Sequence, residues 1–350
     1  MPGIDSQFEH EQAEIFRDPE TGATGVIAIH STALGPAMGG LRLAAYAGLE
    51  SAMGDALRLA RAMTLKNAAA GLDLGGGKAV LLDDGGWADP VARASRMRAV
   101  GETIERLGGR YVTAEDVGTT PDDMTAIAGA TPHVAGQPVE LGGRGDPSPW
   151  TARTVAGAIE AAARLRLDTE DLAGVRVGVL GVGHVGRHLV ALLREAGADV
   201  VVADIDPARA DEAAAEYGAQ AVPAAGFLRT DVDVLAPCAM GELIHPEHIG
   251  ELRCRVIAGA ANNPLLDAAS ARALADTGIL YVPDFLANCG GIIHVGAEVL
   301  GFADAEVERR IGVAVAHTEA VLREALQTRA IPLDVAVAEA LARIAGAQRG

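Results

Sequence analysis

The stretch VRVGVLGVGHVGRHLV, residues Val175–Val190, decides the fold of the C-terminal half of the chain. Its mostly apolar first six residues predict a buried strand. Gly181, Gly183 and Gly186 follow with G-x-G-x-x-G spacing at the start of a predicted helix. In this motif the first glycine allows a tight turn, the second lets a pyrophosphate approach the backbone, and the third lets helix and strand pack closely. The positive N-terminus of the helix then faces the phosphates. The stretch therefore predicts a dinucleotide-binding unit.

An acidic residue ends the next predicted strand, ADVVVADI. Asp204 lies 18 residues after Gly186, where a carboxylate can accept hydrogen bonds from the adenosine ribose. The same carboxylate would repel a 2′-phosphate, so we predict NAD rather than NADP as the cofactor. Further strands are predicted at 232–235, 255–257 and 279–282, alternating with helices. This alternation is typical of a parallel, doubly wound Rossmann sheet.

The N-terminal half also mixes strands and helices. Strands are predicted at GVIAIH from Gly25, after the glycine triplet of LDLGGGKAVLL, and at Arg110–Thr113. Helical spacing of apolar residues predicts helices over Leu49–Ala68 and Pro90–Leu107. ALGPAMGGLRL, residues Ala33–Leu43, is predicted to be a Gly-rich turn that lets the backbone approach a ligand. The fold class is therefore α/β throughout.

The segment GGRGDPSPWTAR, residues 142–153, is rich in Gly and Pro and marks the predicted domain boundary. We predict an N-terminal α/β domain over residues 1–145 and a Rossmann domain over residues 146–320. The tail from 305 to 347 is predicted to be helical with an interruption near Pro332, and its part from about 320 to 350 is expected to complete the first domain.

The composition excludes several classes of protein. A net charge of −18 argues against nucleic acid as a partner, since phosphates require clustered Lys and Arg. No apolar run is long enough to span a bilayer, and the N-terminus lacks the apolar core of a signal peptide. The three cysteines are widely spaced, as expected for reduced thiols. We therefore expect a soluble cytoplasmic protein. His245 and His248 have no evident third ligand, so no metal is predicted.

Lysine is used at two positions only. Of 29 basic residues, Lys66 and Lys78 are the lysines and the rest are arginines. An amine whose pKa is lowered can lose its proton, whereas a guanidinium stays protonated. The two sites are therefore predicted to need an amine, and with Asp116 they are expected at the ends of regular elements, facing Gly-rich turns. Such a set can supply an acid/base and a carboxylate anchor.

Six segments together resemble the leucine, valine and phenylalanine dehydrogenases of the glutamate dehydrogenase superfamily. They are PAMGGLR, LKNAAAGLDLGGGKAV, GRYVTAEDVGTTPDDM, LAPCAMG, VIAGAANN and YVPDFLANCGG, in this order between about residues 25 and 300. The resemblance implies NAD-dependent oxidative deamination of an L-amino acid to the 2-oxo acid, ammonium and NADH. It also implies that the first domain binds substrate and mediates contacts in a homo-oligomer.

The resemblance implies a role for each matched residue. Lys66 would hold the substrate carboxylate, Lys78 would activate water, and Asp116 would exchange protons with the amine. The carbonyls of Gly39 and Gly40 would meet the substrate ammonium. Asn262 would position substrate and nicotinamide, and Met38, Ala114, Ile292 and Val295 would line the side-chain pocket. The expected cofactor contacts are Arg42, Ser148, Thr151, Gly181, Val182, Gly183, His184, Val185, Gly186, Asp204, Cys238, Ala239, Met240, Ala260, Ala261, Asn262 and Asn288.

Three positions depart from the family pattern. Leu41 replaces the usual Thr before Arg42, Glu242 replaces a Gly, and Cys289 replaces an Ala. None of these changes removes a proposed catalytic group, although the first two are expected to influence cofactor or substrate fit.

The four pocket positions are apolar, which argues against glutamate because its side-chain carboxylate would be buried unpaired. The β-branched Ile292 favours a branched aliphatic substrate, whereas GAEVLGF downstream is more like the phenylalanine enzymes. Phenylalanine dehydrogenase therefore remains an alternative. A non-catalytic NAD-binding sensor and a 2-hydroxy-acid dehydrogenase also remain open. The retained Lys66, Lys78, Asp116 and Asn262 weigh against the sensor. The GGGK segment, which 2-hydroxy-acid dehydrogenases lack, weighs against that enzyme.

Overall fold

The computed structural model describes residues 9–239, 241, 243–265 and 268–349, which divide into two compact units. The first unit contains the described residues up to Asp146, together with 294–303 and those from Ala340 onward. The second contains the described residues of 147–293 and 304–339. The chain thus first passes between the units inside the Gly- and Pro-rich segment.

The first unit is built on a mixed sheet with strand order β1-β2-β4-β3-β5. Pairing is antiparallel from β1 through β2 to β4, and parallel from β4 through β3 to β5. The elements in chain order are β1 (Gln12–Arg17), β2 (Thr24–Ser31), β3 (Ala37–Ala44), α1 (Leu49–Ala69), β4 (Gly75–Leu82), α2 (Pro90–Glu105), β5 (Tyr111–Glu115) and α3 (Pro121–Ala128). The predicted strand from Gly25 and the two predicted helices are confirmed, whereas β1 was not predicted.

Each face of this sheet is covered by helices. The alanines Ala52, Ala56 and Ala60 of α1 pack on Val26 and Val80 on one face. Small side chains there let the helix approach the sheet closely. On the other face Met97 and Ile104 of α2 and Ile127 of α3 pack on Leu41 and Leu81. These apolar faces stabilise the sheet by removing apolar area from water, at about 25 cal/mol per Å².

The predicted turn over Ala33–Leu43 is confirmed for residues 33–36 only, because Ala37–Ala44 forms the strand β3 between β4 and β5. Lys78 likewise lies inside β4 rather than at the end of an element. The glycines had been interpreted as turn residues, but Gly39, Gly40 and the triplet before Lys78 do not have the positive φ that many turns require. They are required for close approach instead. A Cβ on Gly39 would overlap the carbonyl of Gly77.

The second unit is a parallel sheet with order β8-β7-β6-β9-β10-β11, the doubly wound arrangement predicted. One part of its core lies between this sheet and helices α4 and α5, and a second part packs against α7. The elements from here to the end of the chain are α4 (Ser148–Leu167), β6 (Arg176–Leu180), α5 (His184–Glu195), β7 (Asp199–Ala203), α6 (Pro207–Tyr217), β8 (Gln220–Ala221), β9 (Val234–Pro237), β10 (Val256–Ile257), α7 (Ala268–Asp276), β11 (Leu280–Tyr281), α8 (Asp284–Ala287), α9 (Gly290–Leu300), α10 (Asp304–Thr328) and α11 (Pro332–Ala347). Of these, α9 from His294 and α11 from Ala340 belong to the first unit.

The predicted helical tail is confirmed as α10 and α11, with the interruption at Ala330 and Ile331 just before Pro332. The short edge strand β8 was not predicted. Within the described residues, no helix is both long enough and apolar enough to cross a membrane.

Candidate active site

The candidate site in the first unit is built around a buried lysine, Lys78, and the carboxylate of Asp116. Lys78 lies opposite Ala28 of β2, so its side chain points to the sheet face that α1 covers. Asp116 directly follows β5. The Nζ of Lys78 lies 2.7 Å from Oδ2 of Asp116, and the lysine side chain is only 6% exposed. The fold therefore brings together the two predicted catalytic residues.

A second cation contacts the same carboxylate. The Nε of Arg42 in β3 lies 3.0 Å from Oδ2 of Asp116, and its NH1 lies 3.0 Å from Oδ2 of Asp55 in α1. Asp55 also accepts hydrogen bonds from the Tyr46 hydroxyl and from Arg58, each at 2.7 Å. Sequence reasoning placed Arg42 among the cofactor contacts and did not identify Asp55 or Tyr46.

This arrangement sets the protonation of the pair. Burial lowers the pKa of Lys78, and the Arg42 guanidinium acts in the same direction, while Asp116 opposes them only in part. Burial raises the pKa of Asp116, but the charges of Lys78 and Arg42 outweigh it, and that pKa is lowered. The site thus combines an amine that loses its proton more readily than an ordinary lysine with a carboxylate that stays ionised.

The glycines of β3 make room for this pair. A Cβ on Gly40 would lie 2.7 Å from the Asp116 Cβ and 3.2 Å from the Lys78 Nζ. The carbonyl oxygen of Gly39 accepts a hydrogen bond of 2.8 Å from the buried Tyr111 hydroxyl, which also lies 3.4 Å from the Gly40 carbonyl. Tyr111 thereby orients the two carbonyls predicted to meet the substrate ammonium. Nothing in the sequence around Tyr111 predicted that its hydroxyl would contact these carbonyls.

The turn after Asp116 is held by Thr119, another residue that the sequence analysis missed. Its buried hydroxyl donates to the Leu41 carbonyl at 2.9 Å and lies 3.0 Å from the Asp116 backbone nitrogen, which donates to it. The contact ties the Asp116 turn to β3. Its signal in the sequence was the short spacing within AEDVGT, where a Thr follows an Asp by three residues.

Three further predicted substrate contacts, Lys66, Met38 and Ala114, lie on neighbouring elements of the same unit. Lys66 lies half-buried in the last turn of α1. The next residue, Asn67, donates through Nδ2 to the carbonyls of Met38 at 3.3 Å and Gly75 at 2.5 Å. Asn67 therefore fastens the end of α1 to β3 and β4. Ala114 is paired with Gly40 in the sheet.

The last two pocket candidates lie on α9. Val295 belongs to its part in the first unit, and Ile292 to its part in the second. Both side chains are half-buried.

The glycine loop of the second unit has the predicted geometry. Gly181 has a φ of 99°, and a Cβ there would lie 2.7 Å from the Ala239 nitrogen. A Cβ on Gly186 would overlap the Gly181 carbonyl. Gly183 differs, because a Cβ there would meet nothing within 4 Å. The protein itself requires the first and third glycines, and the second borders open space at the start of α5.

Asp204 organises this loop. Its Oδ2 accepts a hydrogen bond of 2.8 Å from the Val182 nitrogen, and its Oδ1 accepts one of 3.0 Å from the Asp206 nitrogen. Each oxygen retains a lone pair that a ribose hydroxyl can use. His184 is exposed and Val185 is half-buried at the start of α5. The loop therefore offers an open helix N-terminus beside a carboxylate, which fits a dinucleotide without a 2′-phosphate.

A second group of predicted cofactor contacts follows the carboxyl ends of the parallel strands. Asn288 is 2% exposed and donates through Nδ2 to the Ala260 carbonyl at 3.0 Å and to Oδ1 of Asn262 at 2.9 Å. Among the residues that the structure describes, its own buried Oδ1 has no hydrogen-bond partner. A buried orphan acceptor is costly, and a ligand amide would satisfy it. This feature also fits NAD, whose nicotinamide carries such an amide.

The remaining predicted contacts lie at the same edge of the sheet or at the start of α4. Cys238 and Ala239 follow β9, and Ala261 lies beyond β10. Ser148 and Thr151 are in the first turn of α4. Met240 and Glu242 lie outside the described residues.

The chain matches known dehydrogenases in both of its units. Residues 10–133 match the dimerisation domain of Glu/Leu/Phe/Val dehydrogenase, and residues 207–349 match Glutamate/Leucine/Phenylalanine/Valine dehydrogenase. The chain is 44% identical over 296 residues to leucine dehydrogenase of Thermoactinomyces intermedius, covering 85% of this chain and 80% of that protein. It is 42% identical over 299 residues to valine dehydrogenase of Streptomyces virginiae, covering 85% and 83%. The chain belongs to the glutamate/leucine/phenylalanine/valine dehydrogenase family.

A solved structure extends the likeness to the whole enzyme. L-tryptophan dehydrogenase from Nostoc punctiforme matches with a TM-score of 0.84 and 35% identity, covering 98% of each chain. Residues 149–239 also match the NAD binding domain of D-isomer specific 2-hydroxyacid dehydrogenase. The enzyme is therefore an NAD-dependent oxidoreductase, and the predicted family, fold class and cofactor are confirmed.

Two departures from the family pattern have structural explanations in this enzyme. Leu41 is fully buried in β3 among apolar side chains, while its neighbour Arg42 points to the opposite face. The change therefore adds to the core and leaves the ion pairs intact. Cys289 is 2% exposed, and its Sγ donates to the Leu286 carbonyl at 3.1 Å, as expected for a small packing residue.

Proposed function

We propose that the enzyme catalyses the NAD-dependent oxidative deamination of an apolar L-amino acid. The products are the 2-oxo acid, ammonium, NADH and a proton, and one water is consumed. The buried Lys78–Asp116 pair carries this proposal, because deamination needs an amine that can lose its proton close to an ionised carboxylate. A protein that only senses NAD has no need for such a pair.

The residues of the first unit supply the acid and base steps. Lys66 binds the substrate carboxylate, and the carbonyls of Gly39 and Gly40 accept from the substrate ammonium. Asp116 takes one proton from that ammonium. The glycine loop from Gly181 to Gly186 and the Asp204 carboxylate would hold NAD, which would supply the acceptor for the hydride that leaves the substrate α-carbon. Lys78 then removes a proton from a water molecule as the water oxygen attacks the imino carbon of the oxidised substrate. Asp116 returns its proton to the amino group, which leaves as ammonia.

The proposed substrate has a branched aliphatic side chain. Met38 and Ala114 are buried and apolar. A carboxylate on the substrate side chain, placed beside them, would therefore lose its hydration without gaining an ionic partner. Ile292 is β-branched and limits the space for an aromatic ring. The names of the relatives, leucine and valine dehydrogenase, agree with this choice, although a phenylalanine dehydrogenase of Thermoactinomyces intermedius is also 38% identical.

The proposal is tested by NADH formation from L-Leu, L-Val, L-Ile, L-Phe and L-Glu, with the 2-oxo acid and ammonium identified as products. We expect the three branched substrates to give the highest kcat/KM and L-Glu to give none. Because the cofactor region matches a 2-hydroxyacid dehydrogenase domain, D-2-hydroxy acids are included. Turnover of these alone, or NAD binding without any turnover, would contradict the proposal. We also expect a homo-oligomer, since residues 10–133 match a dimerisation domain.

A further inference from the structure

The two oxygens of Asp116 have different surroundings. Lys78 Nζ and Arg42 Nε both contact Oδ2, at 2.7 and 3.0 Å. In the described part of the chain, no hydrogen-bond donor reaches Oδ1. One oxygen is thus saturated by two cations, while the other is available to a ligand. A carboxylate that exchanges a proton with a substrate needs this kind of free oxygen in a fixed direction.

Arg42 is itself held at its far end. Its NH1 contacts Asp55, whose carboxylate is further fixed by Tyr46 and Arg58. The guanidinium therefore connects α1 to the end of β5, using one nitrogen for each carboxylate. A planar fork can make two such contacts in fixed directions, whereas an ammonium on a flexible stem is a single point charge. This geometry explains an Arg rather than a Lys at this position.

We propose that Arg42, held by Asp55, is a positioning residue that fixes the Asp116 carboxylate with Oδ1 toward the substrate amine and places a permanent positive charge beside the Lys78 amine. This inference rests on the proposed function. Arg42 acts through Asp116 and Lys78.

The charges around Lys78 support this role. The groups that act on it are Asp116 beyond β5, Arg42 on β3 and Asp55 on α1. The carboxylates raise the pKa of Lys78, whereas Arg42 lowers it. Since a guanidinium does not lose its proton in proteins, this effect of Arg42 persists at every working pH. Removing Arg42 should therefore raise the pKa of both Lys78 and Asp116.

The chain allows a direct test, because it contains two lysines only. Labelling lysine with 13C at Cε gives two NMR signals, which Lys66→Arg assigns. Titration of the full-length protein then follows Lys78 without any turnover. We expect its midpoint to move to higher pH in Arg42→Gln. Arg96→Gln is the matched control, since Arg96 lies in the same unit, is also largely buried, and pairs with Asp84 away from the site. It should leave the Lys78 midpoint unchanged.

Kinetics give the second readout. In Arg42→Gln the acid limb of the kcat profile should move to higher pH, with about a 10-fold loss at neutral pH that is partly recovered at higher pH. Arg42→Lys keeps the charge but not the bridge, so its limb should stay near that of the wild type while kcat falls. If Arg42→Gln leaves the Lys78 midpoint and the limb in place and raises only the KM for NAD, the proposal is overturned and Arg42 is a cofactor contact.

The NMR titration separates this inference from the proposed function. Should the wild-type protein fail to deaminate any amino acid, the proposed function falls. An upward shift of the Lys78 midpoint in Arg42→Gln would still support the electrostatic effect of Arg42, and an unchanged midpoint would refute it. Thermal unfolding of each variant checks that the fold is kept.

Discussion

The lysine sheet of the first unit and the glycine loop of the second are both Gly-rich, but Gly77 of the sheet and Gly183 of the loop serve different ends. A Cβ on Gly77 would lie 2.7 Å from the Tyr111 ring, whereas a Cβ on Gly183 would meet nothing within 4 Å. The proposed catalytic pair is completed by protein contacts, with Lys78 and Arg42 on one Asp116 oxygen. The loop borders open space. The first region is preorganised for chemistry, and the second is shaped for a ligand.

The largest effect should come from changing the amine of the preorganised region. Lys78→Arg keeps the positive charge but removes a base that can lose its proton near neutral pH. We expect kcat to fall by at least about 100-fold, the low end for general acid–base catalysis. NADH binding, measured by fluorescence, should be nearly unchanged. Near-normal turnover would show that Lys78 is not the base and would break the contrast between the two regions.

The paired glycine variants Gly77→Ala and Gly183→Ala test the contrast directly. Gly77→Ala places a methyl group against the Tyr111 ring and should destabilise the fold by about 1–3 kcal/mol. Gly183→Ala should leave the free energy of unfolding nearly unchanged and weaken NAD binding instead. Chemical denaturation gives the free energy of unfolding of each variant, and NAD titration gives the Kd of each for NAD. The reverse pattern, with the loop variant unstable and the sheet variant unable to bind NAD, would refute our interpretation.

Side-chain selectivity provides a third test, at Ile292 of the second unit, a residue predicted to line the substrate pocket. If Ile292 limits pocket depth, Ile292→Ala should shift the kcat/KM ratio toward L-Phe. The contacts that a branched substrate would lose in this variant correspond to about 1–3 kcal/mol, or roughly a 10- to 200-fold change in the kcat/KM ratio. We expect a change at the lower end of this range. Ala114→Val is the companion variant in the first unit. A wild-type preference for L-Phe over the branched substrates would disprove the pocket argument while leaving the reaction class unaffected.

The smallest effect is expected at Asp204, which touches the loop rather than the reacting atoms. Wild-type enzyme should prefer NAD strongly. Asp204→Ser removes the charge that repels a 2′-phosphate and should improve kcat/KM for NADP. Loss of the bond from Val182 should also cost roughly 5-fold in NAD use, the worth of one hydrogen bond. Equal rates with both cofactors in the wild type would mean that this carboxylate does not face the ribose.

The sequence by itself determined those parts of the molecule that depend on residues close together in the chain. The glycine spacing of residues 181–186 and the strand that ends at Asp204 specify a β-α-β unit, because turn, helix start and strand all read from adjacent positions. The scarcity of lysine pointed to Lys66 and Lys78, since an amine differs chemically from a guanidinium wherever it lies.

Only the tertiary structure decided how those residues meet. β3 lies between β4 and β5 out of chain order, which placed Gly39 and Gly40 in a strand rather than a turn. The same insertion brings Arg42 to Asp116, 74 residues away, and Lys78 to Asp116, 38 residues away. Strand order and register arise from the packing of apolar faces over the whole sheet, and a pattern of local spacing does not contain them.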